Sequence, residues 1–137
     1  MTTHRCRAAI LFCMDLRLHD HLHSFMSDQG LDEDGTDVIR VAGAVKNLVR
    51  PVHERDREFV LDQLRTAHRI HHVCQLYVVN HEDCGAYGPE DIPDTAEELA
   101  VHREDLLAAQ ELLQREFEAV EVIPYFMWLS GQTEQIQ

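Results

Sequence analysis

Basic residues are scarce in this chain, with 12 Lys+Arg against 25 Asp+Glu for a formal net charge of -13. A protein so acidic repels phosphate backbones and anionic bilayers, which argues against nucleic acid or membrane as partner and for a small-molecule substrate. Long apolar runs are missing too. No stretch approaches the roughly 20 residues of a membrane span, and the opening Met1-Thr2-Thr3-His4-Arg5 lacks the apolar core of a signal peptide. The expectation is a cytoplasmic protein. No internal repeat or low-complexity linker divides the 137 residues, a length that suits one domain, 1–137, with a sizeable core. Cysteine is sparse as well. Only four are present and none forms a Cys-x-x-Cys pair, which disfavours thiol redox chemistry; without an export signal, disulfides are disfavoured too.

What is present is an alternation of short apolar runs with longer amphipathic ones. Arg7 to Phe12, Asp37 to Val41 and Gln75 to Asn80 are apolar and β-branched or aromatic enough to be strands covered on both faces. Glu54 to His72 places Val60, Leu64, Ala67 and His71 on one helical stripe, so a crossover helix joins the second and third strands. After Pro93, Thr95 and Glu98 stand in capping-box spacing at the head of a long helix whose buried face is Leu99, Leu106, Ala109, Leu113 and Phe117. Val120 to Pro124 reads as a fourth strand, with Tyr125 to Leu129 continuing or pairing with it before a Ser130-Gly131 turn. The pattern predicts an α/β fold: a three-layer domain with a mainly parallel central sheet. Sites in such sheets form beyond the carboxyl ends of strands. A strand order of 2-1-3-4 brings together the loops at Cys13, Ala42-Gly43 and His81.

Two of those loops carry metal-binding chemistry. Cys13-Met14-Asp15-Leu16-Arg17 follows the first strand and His81-Glu82-Asp83-Cys84-Gly85 follows the third. Together they offer two thiolates and an imidazole, a set that suits zinc with one position open for water. Asp15 and Arg17 add an acid and a base beside the first cysteine. Cys6 and Cys74 lie in or next to apolar segments, where a free cysteine packs as a small hydrophobe, and they receive no function.

With Arg40-Val41-Ala42-Gly43 between them, these motifs give the order Cys-x-Asp-x-Arg, Arg-x-Ala-Gly, His-x-x-Cys-Gly. The chain thereby resembles the β-class carbonic anhydrases, most closely the short forms with a Cys-Met-Asp-x-Arg loop. The resemblance implies zinc held by Cys13, His81 and Cys84, an Asp15–Arg17 catalytic dyad, and a substrate pocket at Ala42, Gly43 and Gly85. It also implies reversible hydration of carbon dioxide to bicarbonate through zinc-bound hydroxide, in a homodimer or higher oligomer. Related readings are a zinc hydrolase of carbon disulfide or carbonyl sulfide and an inactive zinc-binding regulatory homologue. Leu16 stands where many members have serine, Val41 where asparagine is frequent, Ala44 where a second glycine is frequent, and Asn80 where glycine is common. Only 12 residues precede Cys13, where larger members have a helical arm.

Arg40 reads as a structural ion pair with a neighbouring loop or subunit. His19 and His23 would share a helix face near the site mouth and are candidates to pass a proton to buffer. The run Asp32-Glu33-Asp34 reads as a solvated loop, and Tyr125-Phe126-Met127-Trp128 as a core or dimer-edge strand.

Overall fold

The computed structural model describes residues 4–137, with the backbone alone for Glu33 and Asp34. Met1-Thr2-Thr3, within the segment read for a leader, lies outside the described residues. The elements in chain order are β1 (Ala8–Phe12), a 3-10 turn (Leu16–Leu18), α1 (His19–Asp28), α2 (Leu31–Asp34), β2 (Thr36–Arg40), α3 (Lys46–Val49) and α4 (Glu54–His71). They continue with β3 (Gln75–His81), a 3-10 turn (Thr95–Glu97), α5 (Glu98–Glu116), β4 (Glu121–Met127) and β5 (Thr133–Gln135). The sheet runs β2-β1-β3-β4-β5. Its first four strands are parallel, in the expected order 2-1-3-4, and β5 adds an antiparallel edge.

The apolar strands are covered on both sides because their alternate side chains feed two cores. Ala9, Leu11, Leu76, Val78, Val122 and Phe126 pack beneath α3, α4 and α5 with Val45, Leu48, Val60, Leu64, Leu106 and Leu113. Ala8, Ile10, Phe12, Tyr77, Val79 and Met127 pack on the other face against Leu18, Leu22, Phe25 and Leu31 of the α1–α2 layer. All five residues of β1 are buried. Such a strand cannot slip by one residue without exchanging its two cores, which pins the loop that follows it.

Several local expectations change. The Tyr125 to Leu129 block continues β4 as far as Met127 and does not pair with it; the pairing partner is the polar Thr133–Gln135, reached through the expected Ser130-Gly131 turn. Gly131 is required in that turn. It has φ +93°, and a Cβ there would collide with the His21 ring. The Thr95/Glu98 capping box does not form. Asp94 Oδ1 instead accepts from the Ala96 amide at 2.9 Å, and Glu98 Oε1 is diverted to the Asp83 amide at 2.6 Å. The backbone of Asp32-Glu33-Asp34 lies within α2 and is not a loop. Cys6 is buried as expected, but Cys74 is exposed. Among the described residues no helix is long and apolar enough to cross a membrane.

Candidate metal centre

Strand geometry delivers the expected loops to one place. Cys13 follows the last residue of β1, His81 is the last residue of β3, and Cys84 lies in the turn beyond it. One donor atom from each of the three falls within 4.8 Å of those of the other two, and all three residues are buried. The two sulfurs are 3.9 Å apart. Donors bonded to one tetrahedral zinc at about 2.0–2.3 Å sit roughly 3.4–3.8 Å from one another, so small side-chain shifts would suffice to bring these three onto an ion. The imidazole is already oriented. His81 Nδ1 donates to the Glu82 carbonyl at 2.7 Å, which leaves Nε2 as the nitrogen available to a metal. That nitrogen is buried without a hydrogen-bond partner in the fold. An orphaned buried imidazole nitrogen beside two thiols fits a metal better than it fits a core histidine.

The thiols are prepared unequally. The hydrogen bond from Cys84 lowers the Cys13 pKa to about 4, helped by His81 and the Gly43 and Asp15 amides and opposed by burial. The same contact, with burial, pushes Cys84 upward. The contact between the two sulfurs thus favours one thiolate over two, and a bound cation would favour both.

Asp15 and Arg17 occupy the exposed side. Arg17 Nη2 meets Asp15 Oδ2 at 2.7 Å, Nε approaches both carboxylate oxygens, and the Arg17 amide donates to Oδ1 at 2.9 Å. This fork, foremost the Arg17 side-chain hydrogen bonds, holds the Asp15 carboxyl down at about 2. Arg17 is itself anchored by the Asp83 carboxylate at 3.1 Å and carbonyl at 3.0 Å. Asp15 Oδ2 lies 3.9 Å from His81 Nε2. The carboxylate is therefore ionised, fixed and adjacent to the donor cluster.

Arg40 meets the neighbouring loop, as expected, but there it does not form an ion pair. Its contacts to the neighbouring loop are to carbonyls and not to a carboxylate: Nε donates to Cys13 O and Nη2 to Asp15 O, each at 2.9 Å, while Nη1 lies 2.9 Å from His19 Nδ1. The guanidinium also stacks over Phe12, 5.5 Å from the ring centroid. It thus braces the Cys13–Asp15 backbone from beneath. The His19 and His23 rings meet edge to face at 6.0 Å, sharing a face of α1 as expected.

Gly43 approaches the neighbouring loop. Its φ is +83°, and an added Cβ would lie 2.9 Å from Ala86 Cβ, so it lets the β2 loop close on the Cys84 turn. Ala42 and Gly85 are exposed, and a Cβ at Gly85 would meet nothing within 4 Å. Gly85 therefore faces open space next to Cys84.

Sequence reasoning missed a buried polar network behind the cluster. Asn80 Nδ2 contacts Tyr87 Oη at 2.9 Å and His102 Nδ1 at 3.0 Å, and Asn80 Oδ1 accepts from the Val45 amide at 3.4 Å. Tyr87 donates to Asp105 Oδ2 at 2.7 Å, and Arg50 reaches Asp105 Oδ1 at 2.7 and 3.1 Å. Burial, seconded by the nearby His81 and Arg50 charges, lowers the His102 pKa to about 4. Asn80, Tyr87, His102 and Asp105 are all buried. The signal that could have found them is a gap in the α5 stripe: His102 occupies the position at which an apolar residue would continue Leu99 toward Leu106.

A family model described as "Putative carbonic anhydrase" matches residues 3–137. The chain belongs to that family. Uncharacterized proteins of Rickettsia conorii and Rickettsia bellii are each 27% identical to it over 139 residues, covering 98% of this chain and 74% and 84% of theirs. Solved structures share the fold at low identity. A β-carbonic anhydrase of Trichomonas vaginalis aligns with TM-score 0.64 and 15% identity over 99% of this chain and 85% of its own. One from Aspergillus fumigatus aligns with TM-score 0.68 and 12% identity over 100% and 91%. The sheet order and flanking helices are those of the β-carbonic anhydrase fold.

Proposed function

We propose that this member of the carbonic anhydrase family is a zinc enzyme that interconverts carbon dioxide and bicarbonate, with Cys13, His81 and Cys84 holding the metal. The observation that carries the reading is the orphaned Nε2 of His81, buried among two thiols and 3.9 Å from an Asp15 kept ionised by Arg17. Zinc held there supplies a Lewis acid that lets water ionise near neutral pH and attack carbon dioxide.

The chain's own residues do the rest. Asp15, kept ionised, accepts a hydrogen bond from the attacking water and orients it without taking its proton, and Arg17 fixes which lone pair faces the site. Arg40 holds Cys13 and Asp15 in one rigid loop through their carbonyls. Ala42 and Gly85 line the substrate side, where the absence of side-chain bulk at Gly85 leaves room for a linear triatomic molecule, and Gly43 keeps the two loops in contact. The proton leaves by His19 and His23, exposed on α1 at the end of the Arg40 contact. A homodimer completes the mouth. Met14 and Leu16 stand on the metal loop 64% and 85% exposed, and a second copy would shield them. The acidic, span-free chain fits a cytoplasmic setting.

Stopped-flow carbon dioxide hydration on protein of measured zinc content tests the reading. Activity that scales with zinc at this site is expected between about pH 7 and 9, bracketing the ionisation of the activated water. Full zinc with no hydration above buffer overturns it. Turnover of carbonyl sulfide or carbon disulfide in place of carbon dioxide would reassign the substrate.

A further inference from the structure

We propose that the amino-terminal end of the sheet carries a second, structural site for a zinc-type ion, with His4, Cys6 and His71 as ligands and Asp37 as the carboxylate that orients His71. One donor atom from each of the three lies within 4.8 Å of those of the other two. They come from different parts of the fold: the segment before β1, and the last residue of α4. Asp37, near the start of β2, joins them. Its Oδ2 is 2.6 Å from His71 Nδ1 and its Oδ1 is 3.8 Å from Cys6 Sγ.

Most of this arrangement is fixed by the fold itself. The Cys6 amide donates to the His71 carbonyl at 3.0 Å, locking the thiol beside the helix end. The His4 ring lies over the His71 ring with centroids 4.1 Å apart. A carboxylate on one nitrogen of an imidazole, with sulfur and a second imidazole at hand, is the arrangement that sets a histidine for metal ligation. Two nitrogens and a sulfur select zinc and its neighbours over magnesium or calcium.

A plain ion pair between His71 and Asp37 beside a packed cysteine accounts for less. It leaves unexplained why a second imidazole, His4, lies over His71 within reach of the same sulfur. Three chain ligands fill three positions of a tetrahedral ion while Asp37 stands behind His71, and the site joins separate parts of the fold, which marks it as structural. Its effect is to fasten the segment before β1 to α4 and β2. An ion can reach it: Asp37, Thr66, Ile70 and His71 line one surface groove, and His4, Arg5 and His72 line the next. The site lies at the opposite end of β1 from Cys13, and its occupancy is independent of the carbonic anhydrase reading.

The test is zinc stoichiometry. The full chain is stripped with chelator, reloaded with zinc, freed of excess metal and assayed by elemental analysis. Two ions per chain are expected for the wild type, and one for His4→Ala, in which an exposed side chain is removed without touching the core. Cys6→Ser should also retain one, and Asp37→Asn should weaken retention of the second ion by about 10–100-fold without abolishing it. Cys13→Ser should keep the ion bound here. A single ion that survives His4→Ala and disappears in Cys13→Ser would overturn the proposal while leaving the Cys13 site intact. Two ions unaffected by both His4→Ala and Cys6→Ser would overturn it as well. The reverse loss, with His4→Ala and not with Cys13→Ser, would uphold this site and remove the other.

Discussion

On one side of His81, Asp15, Arg17 and Asp83 form an ion-pair cluster reached by water; on the other, Asn80, Tyr87, His102, Asp105 and Arg50 form a network that is mostly sealed. Both are polar and both touch the loops that carry the donor cluster. Their environments set different physics. The Arg17 and Asp83 side chains are 44% and 74% exposed, so their attraction is screened and adds little to stability. Its value is directional: it aims one carboxylate. The Asp105 side chain is 5% exposed, where an unmatched charge or donor is expensive. The sealed network therefore specifies shape, and the open cluster is free to do chemistry.

The strongest way to break this contrast is Asp105→Ala. It strips Tyr87 of its acceptor and leaves Arg50 partly buried without its nearest carboxylate. Removing one partner of a buried pair costs about 3–5 kcal/mol; because Arg50 is one-third exposed and also lies 3.6 Å from Asp91, the lower end is expected. A fall in urea midpoint at unchanged slope is the readout. Since the Tyr87 amide donates to the Cys84 carbonyl at 3.1 Å, zinc retention should fall in the same variant. Wild-type stability in Asp105→Ala would show that the network is ornamental.

Acid separates the two sides next. Burial lowers His102 to about 4 in the fold, while in the unfolded chain it takes a proton near 6.5. The depressed value means that this contribution is complete above about pH 6.5 and is lost as pH falls toward 4. The gap corresponds to roughly 3 kcal/mol. Other groups facing the ring are His81, Arg50, Tyr87, Asp105 and Glu98, so the quantity to compare is the difference between wild type and His102→Gln over that window. Parallel stability curves for the two proteins would refute a neutral buried imidazole. Asp15, on the open side, is held near 2 by Arg17 and stays charged throughout the window.

Asp15→Asn should give the opposite signature from Asp105→Ala: zinc content and stability nearly unchanged, and carbon dioxide hydration down by about 10–100-fold. Unchanged turnover would remove the dyad from the proposed reaction and leave the cluster with a structural role alone.

The donor trio and the dyad were legible in the sequence because each motif is local and sits where an apolar strand ends. Once Ala8–Phe12 and Gln75–His81 are neighbours in a parallel sheet, Cys13 and His81 must converge. The sealed network was not legible for the converse reason. Its members come from the end of β3, the Cys84 turn, the segment after α3, and α5, and none forms a pattern with its sequence neighbours. His102 and Asp105 hide on the buried face of a helix read by its leucines. Glu98 was misread because its local partner, Thr95, lost to a tertiary one, the Asp83 amide. The strand Thr133–Gln135 escaped because Thr-Glu-Gln carries no apolar alternation. The departure at Asn80 from the glycine common in the resembled family became intelligible only in three dimensions, as the link among Val45, Tyr87 and His102.

Ala44 offers the smallest and most discriminating effect. It holds φ +45°, a left-handed conformation that costs an L-residue about 1–2 kcal/mol, at a position where many β-carbonic anhydrases have glycine. The strain lies on the sealed side: the next amide, Val45, is the one that meets Asn80. Glycine would relieve the strain, but it would lose a fully buried methyl worth about 0.8 kcal/mol and add unfolded-state freedom worth roughly 0.5–1 kcal/mol. These terms nearly cancel, so Ala44→Gly should leave the unfolding midpoint within about 0.5 kcal/mol of wild type. Turnover should also be unchanged, because the methyl points into the core with Val45 and Leu48 and not toward Gly85. A stability gain above 1 kcal/mol would mean that the methyl contributes little packing. Lost turnover at constant stability would mean that this loop, strained as it stands, positions the Gly43 contact with Ala86, and the division between a shaping side and a reacting side would have to be redrawn through Gly43.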